Sequence, residues 1–146
     1  MAAIAYKESP PPGPMTRGVH PFSPAGGHGT VSLVALNHLH LHVADLDRSR
    51  AFYETFFGFR EDVWHGPILF VADETGFQLA LAPGDVEQMP GWWHFGFRLP
   101  EPDGVRARRE ALRDAGHAIT GEGDDPDFVW FRVLDPDGYA IEVYWE

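Results

Sequence analysis

The feature that most constrains the fold is an internal duplication that occupies most of the chain. The segment His38–Val43 is matched by His94–Leu99, and the longer segment Leu69–Leu81 is matched by Phe131–Val143. Duplication of this kind is typical of equivalent modules that cannot bury their apolar faces alone and bury them against one another. The repeat therefore predicts a domain over residues 31–146 with two modules, about 33–85 and about 90–146.

Within each module the residue pattern predicts a strand, a helix and three further strands. Val34–Val43 alternates strictly between polar and apolar residues, as a half-buried strand does. Asp45 and Gly58 are a natural N-cap and C-cap for a helix over 46–57, and a second helix is predicted over about 104–115. The predicted fold class is α+β, with two βαβββ modules forming a curved mixed sheet around a metal-binding cavity.

Composition narrows the classes of ligand. The formal net charge is −11, from 22 acidic and 11 basic residues, which argues against binding to nucleic acid phosphates. The chain has no cysteine, so thiolate nucleophiles and cysteine-rich metal sites are excluded. Any metal must be held by His, Asp, Glu or Gln, and the partner we expect is a small-molecule substrate.

The N-terminal segment differs from the rest of the chain. Residues 1–30 are rich in proline and glycine and show no periodicity, which predicts a flexible arm. No apolar run approaches the roughly 18 residues of a membrane helix. The N-terminal stretch Met1–Tyr6 is too short and too weakly charged to be a secretory signal, so a cytoplasmic location is expected.

Three residues in matched positions form the candidate site. His38 and His94 occupy equivalent places in the two modules, and Glu142 lies in the middle of the last strand. All three fall on the face opposite the one that must receive the helix. Two neutral imidazoles and one carboxylate from three strands can hold a divalent metal and leave coordination positions open.

Three stretches of the chain resemble the vicinal oxygen chelate superfamily: Leu36–Glu54, Trp93–Phe97 and Leu134–Glu142. This superfamily includes glyoxalase I, extradiol dioxygenases, methylmalonyl-CoA epimerase, and fosfomycin and bleomycin resistance proteins. The resemblance covers residues 33–146. It implies one divalent metal ion, Fe, Mn, Ni or Zn, that chelates two neighbouring oxygens of a small substrate and is held where His38, His94 and Glu142 stand.

The resemblance leaves the reaction open. Glyoxalase I and the epimerase have a fourth ligand on the last strand of module one, where the internal match pairs Glu142 with Ala80; Gln78, two residues away on the same face, is the alternative ligand. A vacant fourth position implies a three-ligand site, and ring-cleaving dioxygenase-like chemistry is slightly favoured. The alternatives are glyoxalase- or epimerase-like lyase or isomerase chemistry, and non-catalytic drug binding of the bleomycin resistance type.

Four more residues are candidates for roles around the metal. His40 and Tyr144 share the cavity face and are predicted catalytic groups, whereas Arg98 and Trp92 are predicted to bind substrate. An exposed sheet edge is normally covered by a partner, so we expect a homodimer. An eight-stranded cup can form from both modules of one chain or from modules of two chains.

Overall fold

The computed structural model of the protein describes residues 35–146, so the predicted arm over 1–30 lies outside the described residues. The described part confirms two βαβββ modules. Module one contains β1 (His38–Val43), α1 (Leu46–Phe57), β2 (Arg60–His65), β3 (Ile68–Ala72) and β4 (Gln78–Pro83); module two contains β5 (Phe95–Arg98), α2 (Pro102–Asp114), β6 (Ile119–Asp125), β7 (Phe128–Leu134) and β8 (Ala140–Trp145).

Two strands begin later than the alternation suggested. β1 starts at His38, and β5 starts at Phe95, so His94 lies one residue before its strand. A turn explains the second difference, because the Trp93 backbone N–H donates to the Pro90 carbonyl at 2.9 Å. The chain therefore becomes extended only after it has left this turn.

The strands form two open four-stranded sheets, one per module. The order is β1-β4-β3-β2 in sheet one and β5-β8-β7-β6 in sheet two. In each sheet the first strand pairs parallel to the last, and the other pairs are antiparallel. The expected curved mixed sheet is thus realised as two equivalent mixed sheets, with β1 and β5 at an edge of each.

The helix ends follow from their capping residues. The Asp45 side chain accepts a hydrogen bond from the Arg48 backbone N–H at 3.0 Å, and Gly58 ends α1 with a φ of 75°. Gly58 is suited to this left-handed conformation because it has no Cβ. α2 begins at Pro102, slightly earlier than predicted, because proline needs no N–H partner in the first turn.

Both sheets and both helices share one hydrophobic core. Apolar side chains from alternate strand positions are almost fully buried in it; they include Leu41, Val43, Leu79 and Leu81 of sheet one and Phe131, Val133, Ile141 and Val143 of sheet two. Successive strand side chains point to opposite faces. The polar face of each sheet, which carries the predicted ligands, therefore faces away from this core.

A buried polar contact joins the two modules inside that core. The Tyr53 hydroxyl of α1 donates to Asp135, in the turn before β8, at 2.6 Å. Burial raises the pKa of Tyr53 well above its usual value, and burial also raises the pKa of Asp135. Beside it, Ser49 donates to Asp137 at 2.6 Å. These bonds fix α1 of module one against the turn that leads into the strand of Glu142.

No helix among residues 35–146 is both long enough and apolar enough to span a membrane.

Candidate metal centre

His94 and Glu142 form the centre of the candidate site. Glu142 lies in β8 opposite Gly96 of β5, two residues after His94. The His94 Nε2 atom is 3.1 Å from Glu142 Oε2, and both side chains are partly exposed. The structure therefore brings two of the three predicted ligands together on the polar face of sheet two.

The hydrogen bond at Nδ1 favours one tautomer of the neutral His94 ring. Nδ1 lies 3.1 Å from the Trp92 carbonyl oxygen, which can only accept, so Nδ1 carries the proton of that bond. In the neutral ring, Nε2 then directs a lone pair at the Glu142 carboxylate. Two electron-pair donors at this distance are favourable only with a proton or a cation between them. The donor chemistry of this pair thus fits a divalent metal.

His38, on sheet one, also has a hydrogen-bond partner at its Nδ1 atom. Its Nδ1 atom lies 2.9 Å from the Asn37 side-chain oxygen, which leaves Nε2 of the neutral ring free as a ligand. In the parallel pairing of β1 with β4, His38 is the register partner of Gln78. The Gln78 amide nitrogen donates to Asp62 at 2.6 Å, so its oxygen is the atom left for a ligand.

Residues 35–146 of one chain do not bring three predicted ligands together. Among residues 35–146, no group of three His, Asp or Glu side chains lies close enough to hold a metal ion. The reason is the shared core, because both polar faces point away from it. The four predicted ligands are divided into two pairs, with His38 and Gln78 on sheet one and His94 and Glu142 on sheet two.

Sequence reasoning assigned no role to Arg132, which contacts the candidate site directly. It lies in β7 opposite Glu142, and its Nη2 atom is 3.4 Å from Glu142 Oε1. Glu142 therefore uses one oxygen toward His94 and the other toward Arg132. The duplication contained the signal, because the matched segments place Arg132 beside Glu142 just as they place Phe70 beside Ala80.

A cavity of about 690 Å³ lies beside Arg132, and neither His94 nor Glu142 is among its lining residues. The segment Val86–Gly91 between the modules forms one wall, and Trp93, Arg132 and Ala140 form part of the remainder. A volume of this size takes a small organic ligand. Arg132 connects this cavity to Glu142, because it lines the cavity and contacts the carboxylate.

The remaining predicted site residues are not part of the contact between His94 and Glu142. The ring centroids of His40 and His42 are 5.5 Å apart on the exposed face of β1. Arg98 donates to the Glu146 carbonyl at 2.6 Å, and the ring of Tyr144 lies beside Gly96, whose missing side chain leaves it space. Trp92 is 76% exposed, and the neighbouring Trp93 lines the cavity instead.

Comparisons with known proteins agree with this architecture. The family model described as the Glyoxalase/Bleomycin resistance protein/Dioxygenase superfamily matches residues 35–143. The uncharacterized protein PA2024 of Pseudomonas aeruginosa is 33% identical over 121 residues, which cover 73% of this chain and 85% of the relative.

Solved structures show the same fold. A structure described as that of a possible glyoxalase from Bacillus cereus is 29% identical, with a TM-score of 0.67 over 76% of this chain and 98% of that chain. The fosfomycin resistance protein FosX from Listeria monocytogenes, in complex with Mn(II) and sulfate, is 21% identical, with a TM-score of 0.68 over 78% of this chain and 91% of that one. Oxidase ChaP-H2 is 19% identical, with a TM-score of 0.66 over 79% of this chain and 95% of that one.

Proposed function

Since this chain belongs to the glyoxalase/bleomycin resistance protein/dioxygenase superfamily, we propose that it is a divalent-metal-dependent enzyme whose metal site is shared between two copies of the chain. His94 and Glu142 of one copy and His38 of the other would hold the metal. The substrate is a small molecule with two adjacent oxygens.

The observation that carries this proposal is the contact between His94 and Glu142. An imidazole nitrogen whose partner nitrogen is already hydrogen-bonded faces a carboxylate oxygen at 3.1 Å. Both atoms are good ligands for first-row divalent metals, and both are accessible from the polar face of the sheet. A third ligand, the imidazole of His38, would complete an open site.

A second copy is the reasonable source of that ligand. His38 faces away from the core that separates it from Glu142, so convergence within one chain would require unpacking that core. Edge strands such as β1 and β5 favour association, and a two-fold dimer presents each surface twice. Pairing sheet one of each copy with sheet two of the other would create two equivalent sites.

A bound divalent metal supplies Lewis-acid stabilisation of negative charge on the adjacent substrate oxygens. The side chains of this protein supply the rest. Trp92 and Asn37 orient the two imidazoles through their Nδ1 atoms, and Arg132 holds the second oxygen of Glu142. His40 is placed two residues from His38 on the same face, where it can take up or release a substrate proton. Tyr144 and Arg98 can receive a substrate hydroxyl or carboxylate.

The identity of position 80 favours a three-ligand site and, with it, dioxygenase-like chemistry. Ala80 of β4 corresponds to Glu142 of β8, and alanine cannot ligate. The second candidate is a lyase or isomerase of the glyoxalase or epimerase type, with Gln78 as the fourth ligand. The register that places Gln78 beside His38 favours it. The number of protein ligands around the bound metal separates the two candidates.

Metal content tests the proposal. The purified protein would be stripped with chelator, reconstituted separately with Fe, Mn, Ni and Zn, and assayed for bound metal. We expect about one equivalent per chain for at least one metal, and loss of it in His38→Ala, His94→Ala and Glu142→Gln. His42→Ala is the matched control, because His42 lies on the same face of the same strand as His38. Full occupancy in the His94→Ala protein would refute the proposed ligand set.

A further inference from the structure

Arg132 has more hydrogen-bond donors than its surroundings use. A guanidinium carries five N–H groups. Among the described residues its side chain makes one hydrogen bond, the long contact to Glu142 at 3.4 Å, and its Nε atom is buried without a partner. Buried donors are almost always paired, so the guanidinium has fewer hydrogen bonds than its donors allow. Its Nη groups, and not the buried Nε, are the donors that a ligand can reach.

The surrounding side chains hold the guanidinium in place. Arg132 lies 5.9 Å over the ring of Trp130, which is a favourable cation–π distance. The indole of Trp130 in turn lies against Gly121 and Gly123, where an added Cβ would come within 3.1 and 2.4 Å of it. The two glycines thus create the space for a flat indole, and the indole supports the arginine.

Arg132 also lines the cavity of about 690 Å³, and it contacts Glu142 of the candidate metal centre. Its neighbours in the lining include Trp93, Met89 and Ala140. A positively charged side chain with unused Nη donors therefore faces a ligand-sized space. The lining also contains two carboxylates, Glu87 and Asp137, of which Asp137 is already paired with Arg48.

We propose that Arg132 binds an anionic group of the substrate, a carboxylate or a phosphonate, in this cavity. The inference rests on the proposed function, because it takes the cavity lined by Arg132 as the substrate site of an enzyme whose metal Glu142 would hold. An oxyanion can accept two parallel N–H bonds from a guanidinium, a geometry that fixes orientation as well as position. The substrate class is then a small organic acid whose adjacent oxygens lie toward His94 and Glu142.

Calorimetric titration with three matched probes tests this inference. Benzoate carries a carboxylate, phenylphosphonate carries a phosphonate, and benzyl alcohol carries the same ring without charge. In both chelator-treated and Mn-reconstituted protein, we expect at least one anion to bind about tenfold more tightly than benzyl alcohol, as a charge-assisted bond allows. Whichever anion shows this preference identifies the group.

The preference should depend on Arg132 and not on the exposed arginines of α2. Arg132→Gln should abolish it and Arg132→Lys should retain part of it, because lysine keeps the charge but lacks the paired donors. Arg113→Gln removes the same charge from the exposed surface of α2 and should leave the preference unchanged. Equal affinity for all three probes in the wild-type protein, or anion binding by Arg132→Gln at the wild-type level, would overturn the inference.

The two proposals fail separately in this design. If no metal binds but the Arg132-dependent anion preference persists in chelator-treated protein, the proposed enzyme function is wrong and the anion site stands. If the metal binds to His94 and Glu142 but anion affinity does not depend on Arg132, the anion site is wrong and the metal centre stands.

Discussion

The two modules carry opposite chemistry at one matched point of their sheets. In module one, Phe70 of β3 lies opposite Ala80 of β4; in module two, Arg132 of β7 lies opposite Glu142 of β8. The backbone is the same at both points. The matched positions hold an apolar pair in module one and, in module two, an ion pair beside a histidine.

The irregularities of the two sheets are matched as well. The ladder of β2 with β3 shifts register between Glu61 and Val63, and the ladder of β6 with β7 shifts between Ile119 and Gly121. The duplication therefore preserved strand pairing in detail while side chains diverged. In the proposed shared site the two sheets contribute unequally: sheet one would supply an imidazole, and sheet two an imidazole, a carboxylate and a cation.

The largest expected difference between the modules is in how much the turn before each last strand contributes to the free energy of unfolding. Asp73 Oδ1 accepts from the backbone of Thr75 and Phe77, and Asp135 Oδ1 accepts in the same way from Asp137 and Tyr139. Only Asp135, which is 5% exposed, also accepts from the buried Tyr53 hydroxyl. We expect Asp135→Ala to lower the free energy of unfolding by about 3 kcal/mol and Asp73→Ala by about 1 kcal/mol.

Urea denaturation followed by circular dichroism measures both values. Equal losses in the two variants would mean that the bond between the modules adds nothing to the turn itself.

A smaller loss of stability is expected from alanine substitution of the glycines that lie against Trp130. An alanine at position 123 would bring its Cβ within 2.4 Å of the indole nitrogen, whereas at position 121 the nearest indole atom would be 3.1 Å away. Overpacking of this kind costs about 2 kcal/mol for Gly123→Ala and about 1 kcal/mol for Gly121→Ala. Thermal unfolding would report the cost, and tryptophan fluorescence would report displacement of the ring; an unchanged spectrum in Gly123→Ala contradicts this packing.

Exchanging the matched pair tests the divergence directly. The double variant Arg132→Phe with Glu142→Ala installs the module-one pair in module two. Because both polar partners are removed together, we expect a change of less than about 1 kcal/mol in the free energy of unfolding. Metal binding should be lost completely. A double variant that is much less stable than Glu142→Ala alone would show that the two sheets are not interchangeable here.

The smallest effect is a pH dependence from Asp135. Burial raises the pKa of Asp135 in the folded state above its ordinary value of 3.8. The folded protein therefore holds this proton to higher pH than the unfolded chain, and stability falls as pH rises from that ordinary value through the folded-state pKa. Over this window the wild-type protein should lose stability relative to Asp135→Asn, which does not titrate. Parallel curves for the two proteins, from urea denaturation at a series of pH values, would contradict the expectation.

Local patterns made much of the fold predictable. Strand alternation placed Glu142 on the face opposite Ile141 and Val143, and the capping residues Asp45 and Gly58 bounded α1 where the structure has it. These features depend on neighbours in sequence and on the repeat, both of which are visible in one chain. The pairing of His94 with Glu142 followed from the same regularities.

Long-range packing was not predictable. The Tyr53–Asp135 bond and the support of Trp130 by two glycines depend on which surfaces meet, and periodicity does not encode that. The role of Arg132 was not predicted for the same reason, because the hydrogen-bond partners of its side chain depend on tertiary packing. The placement of His38 away from Glu142 also arises from packing, because one core came to lie between the two polar faces.

Mixed dimers test the central claim, that each metal site takes ligands from two chains. His38→Ala and His94→Ala proteins would be refolded or co-expressed together, with different tags, and the mixed dimer purified by both tags. Shared sites predict about one metal ion per mixed dimer, because one of its two sites keeps His38 from one chain and His94 with Glu142 from the other, while each variant alone binds none. A mixed dimer without metal, beside a wild-type protein that binds one ion per chain, would contradict the claim.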